Sequence, residues 1–202
     1  MTQKKLFIVF DGIDGDGKTT QVMLLKEYLE KRGFKVFSTS EPTNSEYGKQ
    51  IDNLLRQKFA SRVSKEKWLE LFTKDSKEDE KLIKSALDSE QIVIADRYIY
   101  STLAYQLEEK EWQSYTEQFI KPDLVFILDL PIKVAIERIK KKYEKTKEKK
   151  SYFEKTKILR EVKKKFLELP RFLNHNIKII DSNRKIEEIF NDIKKEVELL
   201  LH

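Results

Sequence analysis

Cysteine is missing from this 202-residue chain. Its absence excludes disulfides and thiolate chemistry and is compatible with a reducing interior. Histidine is nearly missing too. His175 and His202 stand alone, with no partners at metal-ligand or catalytic spacing. Long apolar runs are also lacking. Leu6 to Phe10 is the only early one, too short for the core of a signal peptide or for a membrane span. The chain therefore reads as soluble and cytoplasmic, with no membrane partner. No internal repeat is visible. The length suits a single α/β domain over residues 1–202 and is short for two. Lysine and arginine outnumber aspartate and glutamate by 41 to 35, a net charge of +6 that suits an anionic partner. A nucleotide needs only a local cluster of cations, whereas a polynucleotide needs a stripe.

Leu6 to Phe10 is continuously apolar and ends at Asp11-Gly12, the pattern of a strand buried on both faces of a parallel sheet. From Lys18, the residues Val22, Leu24, Leu25, Tyr28 and Leu29 recur at helical spacing until Gly33 supplies a stop. Segments 35–39, 92–95, 124–128 and 177–180 read as further strands, the last three running into Asp96, Asp129 and Asp181. Ile51, Leu54, Leu55 and Phe59 predict one helix, Trp68 to Leu87 a longer one, and Ile186 to Leu200 a closing amphipathic one. Strands alternating with helices predict a parallel sheet with right-handed crossovers, whose ligands bind just past the strand ends. Residues 140–157 are strongly basic with scattered aromatics. That segment reads either as a solvated helix face or as a lid over phosphates.

One short stretch carries specific chemistry. Gly12-Ile13-Asp14-Gly15-Asp16-Gly17-Lys18-Thr19 has the full spacing of a Walker A loop, between a predicted strand and a predicted helix. Its glycines let backbone N–H groups converge on phosphate, and the helix N-terminus adds its dipole. Lys18 is placed to reach the β- and γ-phosphates, and Thr19, followed by Thr20, to hold Mg²⁺. The loop predicts a nucleoside triphosphate; it does not distinguish kinase, switch or motor. Asp96 closes the third strand, the usual place of a carboxylate that holds Mg²⁺ through water. Arg97 beside it offers a bidentate fork for phosphate, or else pairs with Asp96 structurally. Glu41 precedes Pro42, which favours extended backbone there.

The flanking residues are more specific. "FDGIDGDGKTTQ" at 10–21, "SEPT" at 40–43, "DRYIYSTLAYQ" at 96–106, "KPDLVFILDLP" at 121–131 and "FLEL" at 166–169 occur in this order. Together they resemble the thymidylate kinases over nearly the whole chain. Adenylate and UMP/CMP kinases usually place glycine after the loop lysine instead.

The resemblance implies a three-layer P-loop fold, with a five-stranded parallel sheet and helices on both faces, usually as a homodimer. It implies transfer of phosphate from ATP to dTMP with Mg²⁺. It also implies roles: Asp14 on the sugar 3′-hydroxyl, Arg97 on the acceptor phosphate, and Glu41 near the metal and phosphates. Phe72 would stack on the base, or else belong to a helix core. Ser101, Tyr105 and Gln106 would frame the thymidine, and Arg138 would pack on adenine or form a surface ion pair. Asp11 would organise Mg²⁺ through water or accept N–H bonds from the loop. Asp16 is expected in solvent, without a role.

The chain departs from the family at several places. One branch has an arginine within the phosphate loop, where Gly15 stands here. Another has lid arginines, one of them where Tyr152 precedes Phe153-Glu154. No arginine lies between Arg138 and Arg160, so Lys149, Lys150 or Lys155, near Glu154, would supply the lid's charge as a point cation. Ser76, and likewise Ser40, replaces an arginine common in the family. Ser76 at the base would loosen the choice of dTMP over other pyrimidine monophosphates. Rival readings are a related deoxynucleoside or pyrimidine monophosphate kinase, a nucleic-acid-binding NTPase, and a nucleotide-binding paralogue without activity. No nucleic-acid module supports the second, and intact Lys18, Asp96 and Arg97 oppose the third.

Overall fold

A computed structural model describes residues 5–57, 59–146 and 151–201. Five strands, β1 (Leu6–Gly12), β2 (Val36–Ser40), β3 (Ile92–Asp96), β4 (Leu124–Asp129) and β5 (Ile177–Asp181), form one sheet in the order β2-β3-β1-β4-β5. Every pairing is parallel. All of β1 is buried, as its unbroken apolar run predicts. Leu6, Ile8 and Phe10 pack on Val22, Leu25 and Leu29 of α1 (Lys18–Lys31) and on Ile189, Ile193 and Val197 of α8 (Ile186–Leu201). Phe7 and Val9 face the opposite layer, which holds α3 (Lys65–Asp88), α4 (Ile99–Gln106), α5 (Glu109–Thr116), α6 (Ile132–Thr146) and α7 (Thr156–Phe172). Each large apolar side chain buried this way contributes about 1.5–3 kcal/mol against exposure. This is the three-layer P-loop architecture.

β1 runs two residues beyond its apolar stretch. Asp11 and Gly12 pair with Ile127 and Leu128 of β4, which extends the strand to the mouth of the phosphate loop. The second helix is shifted from expectation. The Ser45 hydroxyl accepts from Gly48 N at 3.0 Å and starts α2 (Glu46–Leu55) early. Phe59 falls outside it and is exposed.

A third apolar cluster joins α2 to α3 through Ile51, Trp68 and Leu71, with Phe72, Tyr152 and Phe153 packed against it. It anchors the basic segment over the C-terminal end of the sheet. That segment is not one continuous helix. Residues up to Thr146 complete α6, Tyr152–Glu154 form a 3-10 turn, and α7 begins at Thr156.

Candidate active site

The phosphate loop links the end of β1 to the start of α1. Gly12 has φ 144°, and a Cβ there would overlap the Asp16 carboxylate and lie 2.8 Å from Leu128 O. Gly12 and the buried Ile13 shape the loop from beneath and do not line the cleft above it. The Lys18 ammonium donates to Ile13 O at 3.0 Å and pairs with Asp16 Oδ1 at 3.0 Å.

Asp16 does not lie in solvent as expected: it is only 1% exposed. The turn through Gly15 and Gly17, at φ 85° and 97°, folds its side chain into the loop, against the bare Cα of Gly12. Burial pushes its carboxyl up to about 6 despite the opposing pull of Lys18.

Thr19 Oγ1 donates to Asp96 Oδ2 at 2.5 Å, with Thr20 on the same wall. Arg97 has φ 74°, an uncommon backbone for a residue with a side chain. The turn sends its guanidinium back to the loop, where Nη2 meets Asp14 Oδ1 at 2.7 Å and Nη1 donates to Gly12 O at 2.9 Å and Ser101 Oγ at 2.7 Å. Asp96 and Arg97 therefore have separate partners, not each other. Burial raises the Asp14 pKa, but Arg97 and Lys18 outweigh it and hold the carboxyl below its ordinary value.

Asp11 is fully buried and accepts from Gly12 N at 2.9 Å, Ser101 N at 2.9 Å and Ser101 Oγ at 2.7 Å. Of its two readings, the structure matches the acceptor of local N–H bonds, since Asp11 lines neither cavity described next.

A cleft runs over Gly15 to Thr20, Asp96, Arg138 and Arg184. Arg138 Nη1 donates to Gly15 O at 3.2 Å, tying α6 to the loop. Beside this cleft lies a cavity lined by Glu41, Phe72, Ser101, Tyr105 and Gln106, together with Arg56 and Phe153. Asp14, Glu41, Arg97, Lys142 and Glu154 line both.

Glu41 Oε1, Tyr105 Oη and Gln106 Nε2, all on residues of this cavity's wall, are buried with no hydrogen-bond partner among the described residues. Glu41 is buried and faces Asp79, and both effects raise its pKa well above the ordinary range. Its loop is held from behind. Asp75 accepts from Thr43 N at 2.8 Å, Thr43 Oγ1 at 2.5 Å and Ser45 Oγ at 2.6 Å.

Ser76 is not on the cavity wall. It is fully buried behind Glu41, because α3 turns that face inward with Asp75 and Asp79. Phe72, one turn earlier, does reach the cavity and sits 6.2 Å from Phe153, ring centre to ring centre. Phe153 in turn lies 5.0 Å from Tyr105.

Among the residues expected to form a lid, Glu154 Oε2 accepts from Tyr143 Oη at 2.6 Å and from Ser151 N at 2.7 Å. Lys155 lines neither cavity; its ammonium stands 4.5 Å over the Tyr152 ring. Lys149 and Lys150 lie outside the described residues. Among the described residues, the lysine that lines both cavities is Lys142, which sequence reasoning missed. Its signal was its place one helical turn after Arg138. Phe153, Arg56 and Arg184 were missed as well; only the aromatic scattered among lid lysines gave a hint.

The Thr19 hydroxyl and the Asp96 carboxylate are hard oxygen donors in an open cleft. Among the described residues no group of three or more His, Cys, Asp or Glu is arranged to hold a metal ion. Such a donor set fits Mg²⁺, which keeps waters and phosphate oxygens as ligands rather than entering an all-protein cage.

A phosphate loop at the end of the central parallel strand, beneath a cleft that shares five residues with an aromatic cavity, defines a nucleotide phosphotransferase of the P-loop class. A family model described as thymidylate kinase matches residues 10–193. Proteins named probable thymidylate kinase are similar along nearly their full length. That of Thermococcus kodakarensis is 38% identical over 208 residues, covering 97% of this chain and 98% of its own. That of Methanobrevibacter smithii is 38% identical, covering 95% and 94%, and that of Methanocaldococcus jannaschii 39%, covering 93% of each. The chain belongs to the thymidylate kinase family.

Proposed function

We propose that this protein transfers the γ-phosphoryl group of ATP to dTMP, giving ADP and dTDP. The carrying observation is the shared wall of the two cavities, where Asp14, Arg97, Lys142 and Glu154 stand between the phosphate loop and the Phe72–Phe153–Tyr105 pocket. An acceptor phosphate oxygen attacks the γ-phosphorus in line, and the bond from that phosphorus to the β–γ bridging oxygen breaks. Catalysis is then positioning and charge neutralisation, with no covalent enzyme intermediate. Lys18 and Arg97 neutralise the transferring group. Asp14, held as an anion by Arg97, accepts from the deoxyribose 3′-hydroxyl. Phe72 and Phe153 enclose the base, and the uncommitted Tyr105 hydroxyl and Gln106 amide complete the nucleoside site. With Ser76 off the wall, base choice rests on these groups rather than on that serine. Thr19 and Asp96 would hold Mg²⁺, which shields phosphate charge when bound.

The homodimer is carried over from the family resemblance, and the cytoplasmic location from the lack of a long apolar run in the sequence. No helix among the described residues is long and apolar enough to cross a membrane. Sedimentation tests the dimer.

ADP release measured with dTMP, dUMP, dCMP, dGMP and thymidine tests the reading. dTMP should give the highest kcat/KM, and thymidine should give no turnover. A preference for thymidine would refute the acceptor-phosphate role of Arg97, and no turnover with any nucleotide would refute the kinase reading.

A further inference from the structure

The phosphate loop contains an anion of its own. Asp16 Oδ1 accepts from the Lys18 backbone N–H at 3.0 Å and pairs with the Lys18 ammonium at 3.0 Å. These are two of the groups that a Walker A loop presents to a bound phosphate. Both sides of the pair are buried, with Lys18 5% and Asp16 1% exposed. The second carboxylate oxygen has no partner among the described residues and points at Gly12, where a side chain would collide with it. Through Oδ1 this carboxylate occupies those donors as a phosphate oxygen would.

We propose that Asp16 is a positioning residue that holds Lys18 in a self-satisfied state and competes directly with the phosphates of ATP for it. Binding of the donor then requires Asp16 to leave Lys18 or to take up a proton. The titratable and charged groups around Asp16 are Lys18 of α1, Arg97 from the turn after β3, Tyr105 of α4, and Arg138 of α6, whose guanidinium donates to Asp16 O. The raised pKa of Asp16, about 6, means that its charge is present at pH 8 and largely gone at pH 5.5. The competition should fade over the same interval. The proposal rests on the ATP-dependent reading above, since it concerns the donor half of that site.

Asp16→Asn keeps the shape and the acceptor oxygen and removes the charge. Calorimetric titration of parent and variant with Mg·ATP, without acceptor, reads the competition directly. At pH 8 the variant should bind ATP about tenfold more tightly, the weight of one charge-assisted hydrogen bond. KM for ATP should fall with Kd. The gap should narrow markedly at pH 5.5, where most of the parent's own carboxyl is neutral; titration of ATP itself is common to both proteins. Equal or weaker binding by the variant at pH 8, or a gap that is unchanged at pH 5.5, overturns the proposal. Should Asp16→Asn fail to fold, Asp16→Ser carries the same comparison. Failure of the proposal leaves ATP-dependent turnover with dTMP intact, whereas failure of the kinase reading removes turnover from the parent protein.

Discussion

Replacing Asp79 with asparagine should stabilise the protein, and only at neutral and alkaline pH. Asp79 lies on α3 with 1% of its surface exposed. It accepts one hydrogen bond, from Thr39 Oγ1 at 2.5 Å, and Oδ2 has no partner among the described residues. Burial, with the Asp75 carboxylate nearby, pushes it up to about 6 from an ordinary 3.8. In the unfolded chain it ionises near pH 4; in the folded protein it resists until about pH 6. Its contribution to stability is therefore complete below pH 4, declines between the two values, and stays lost above pH 6. Each pH unit between them is worth ~1.4 kcal/mol, which sets a ceiling of about 3 kcal/mol. Asparagine keeps an acceptor for Thr39 and never ionises.

Thermal and urea unfolding of parent and Asp79→Asn at pH 4, 6 and 8 test this. The variant should gain about 1–3 kcal/mol at pH 8, a rise of some 2–4 °C in Tm per kcal/mol for a chain this long. The gap should vanish towards pH 4. A variant that is less stable at pH 8, or a gap independent of pH, would refute the burial argument. Losing the negative charge of Asp79 should also bring the Glu41 pKa back towards its ordinary value, and so link this stability effect to the active-site wall.

Lys18→Ala should cut kcat/KM by at least about 10²–10³-fold, because the ammonium stabilises charge on the transferring group. Circular dichroism should show an unchanged fold; unfolding or near-normal turnover would contradict the role. Lys142→Ala should lower kcat more than Lys155→Ala, since only the former lines both cavities. Steady-state assays of the pair decide, and the reverse order would restore Lys155 as the lid cation. Phe153→Ala should raise KM for dTMP several-fold and leave KM for ATP nearly unchanged, as expected from losing one aromatic contact of roughly 0.5–1.5 kcal/mol plus buried area. Equal effects on both substrates would place Phe153 outside the acceptor pocket.

Local pattern carried much of this protein. The three inner strands, β1, β3 and β4, could be read because parallel strands buried on two faces are continuously apolar; β2 and β5, the half-buried edges, were read from shorter apolar stretches. The phosphate loop was legible for a similar reason: its glycines, Lys18 and Thr19 act through backbone shape over eight neighbouring residues. Positions that depend on distant packing were not legible. Asp16 and Asp14 look alike in sequence, yet one turn of the loop buries the first against Gly12 and leaves the second beside Arg97. Ser76 and Phe72 share a helix face by spacing, but Glu41, arriving from the end of β2, covers the serine and spares the ring. Phe153 and Lys142 enter the site only because the cluster around Trp68 and the docking of Arg138 on the loop fix where α6 and the segment after it lie. Side-chain periodicity fixes which face a residue shares. Which neighbour meets that face is decided by contacts between residues tens of positions apart, and those are specified by the packed whole.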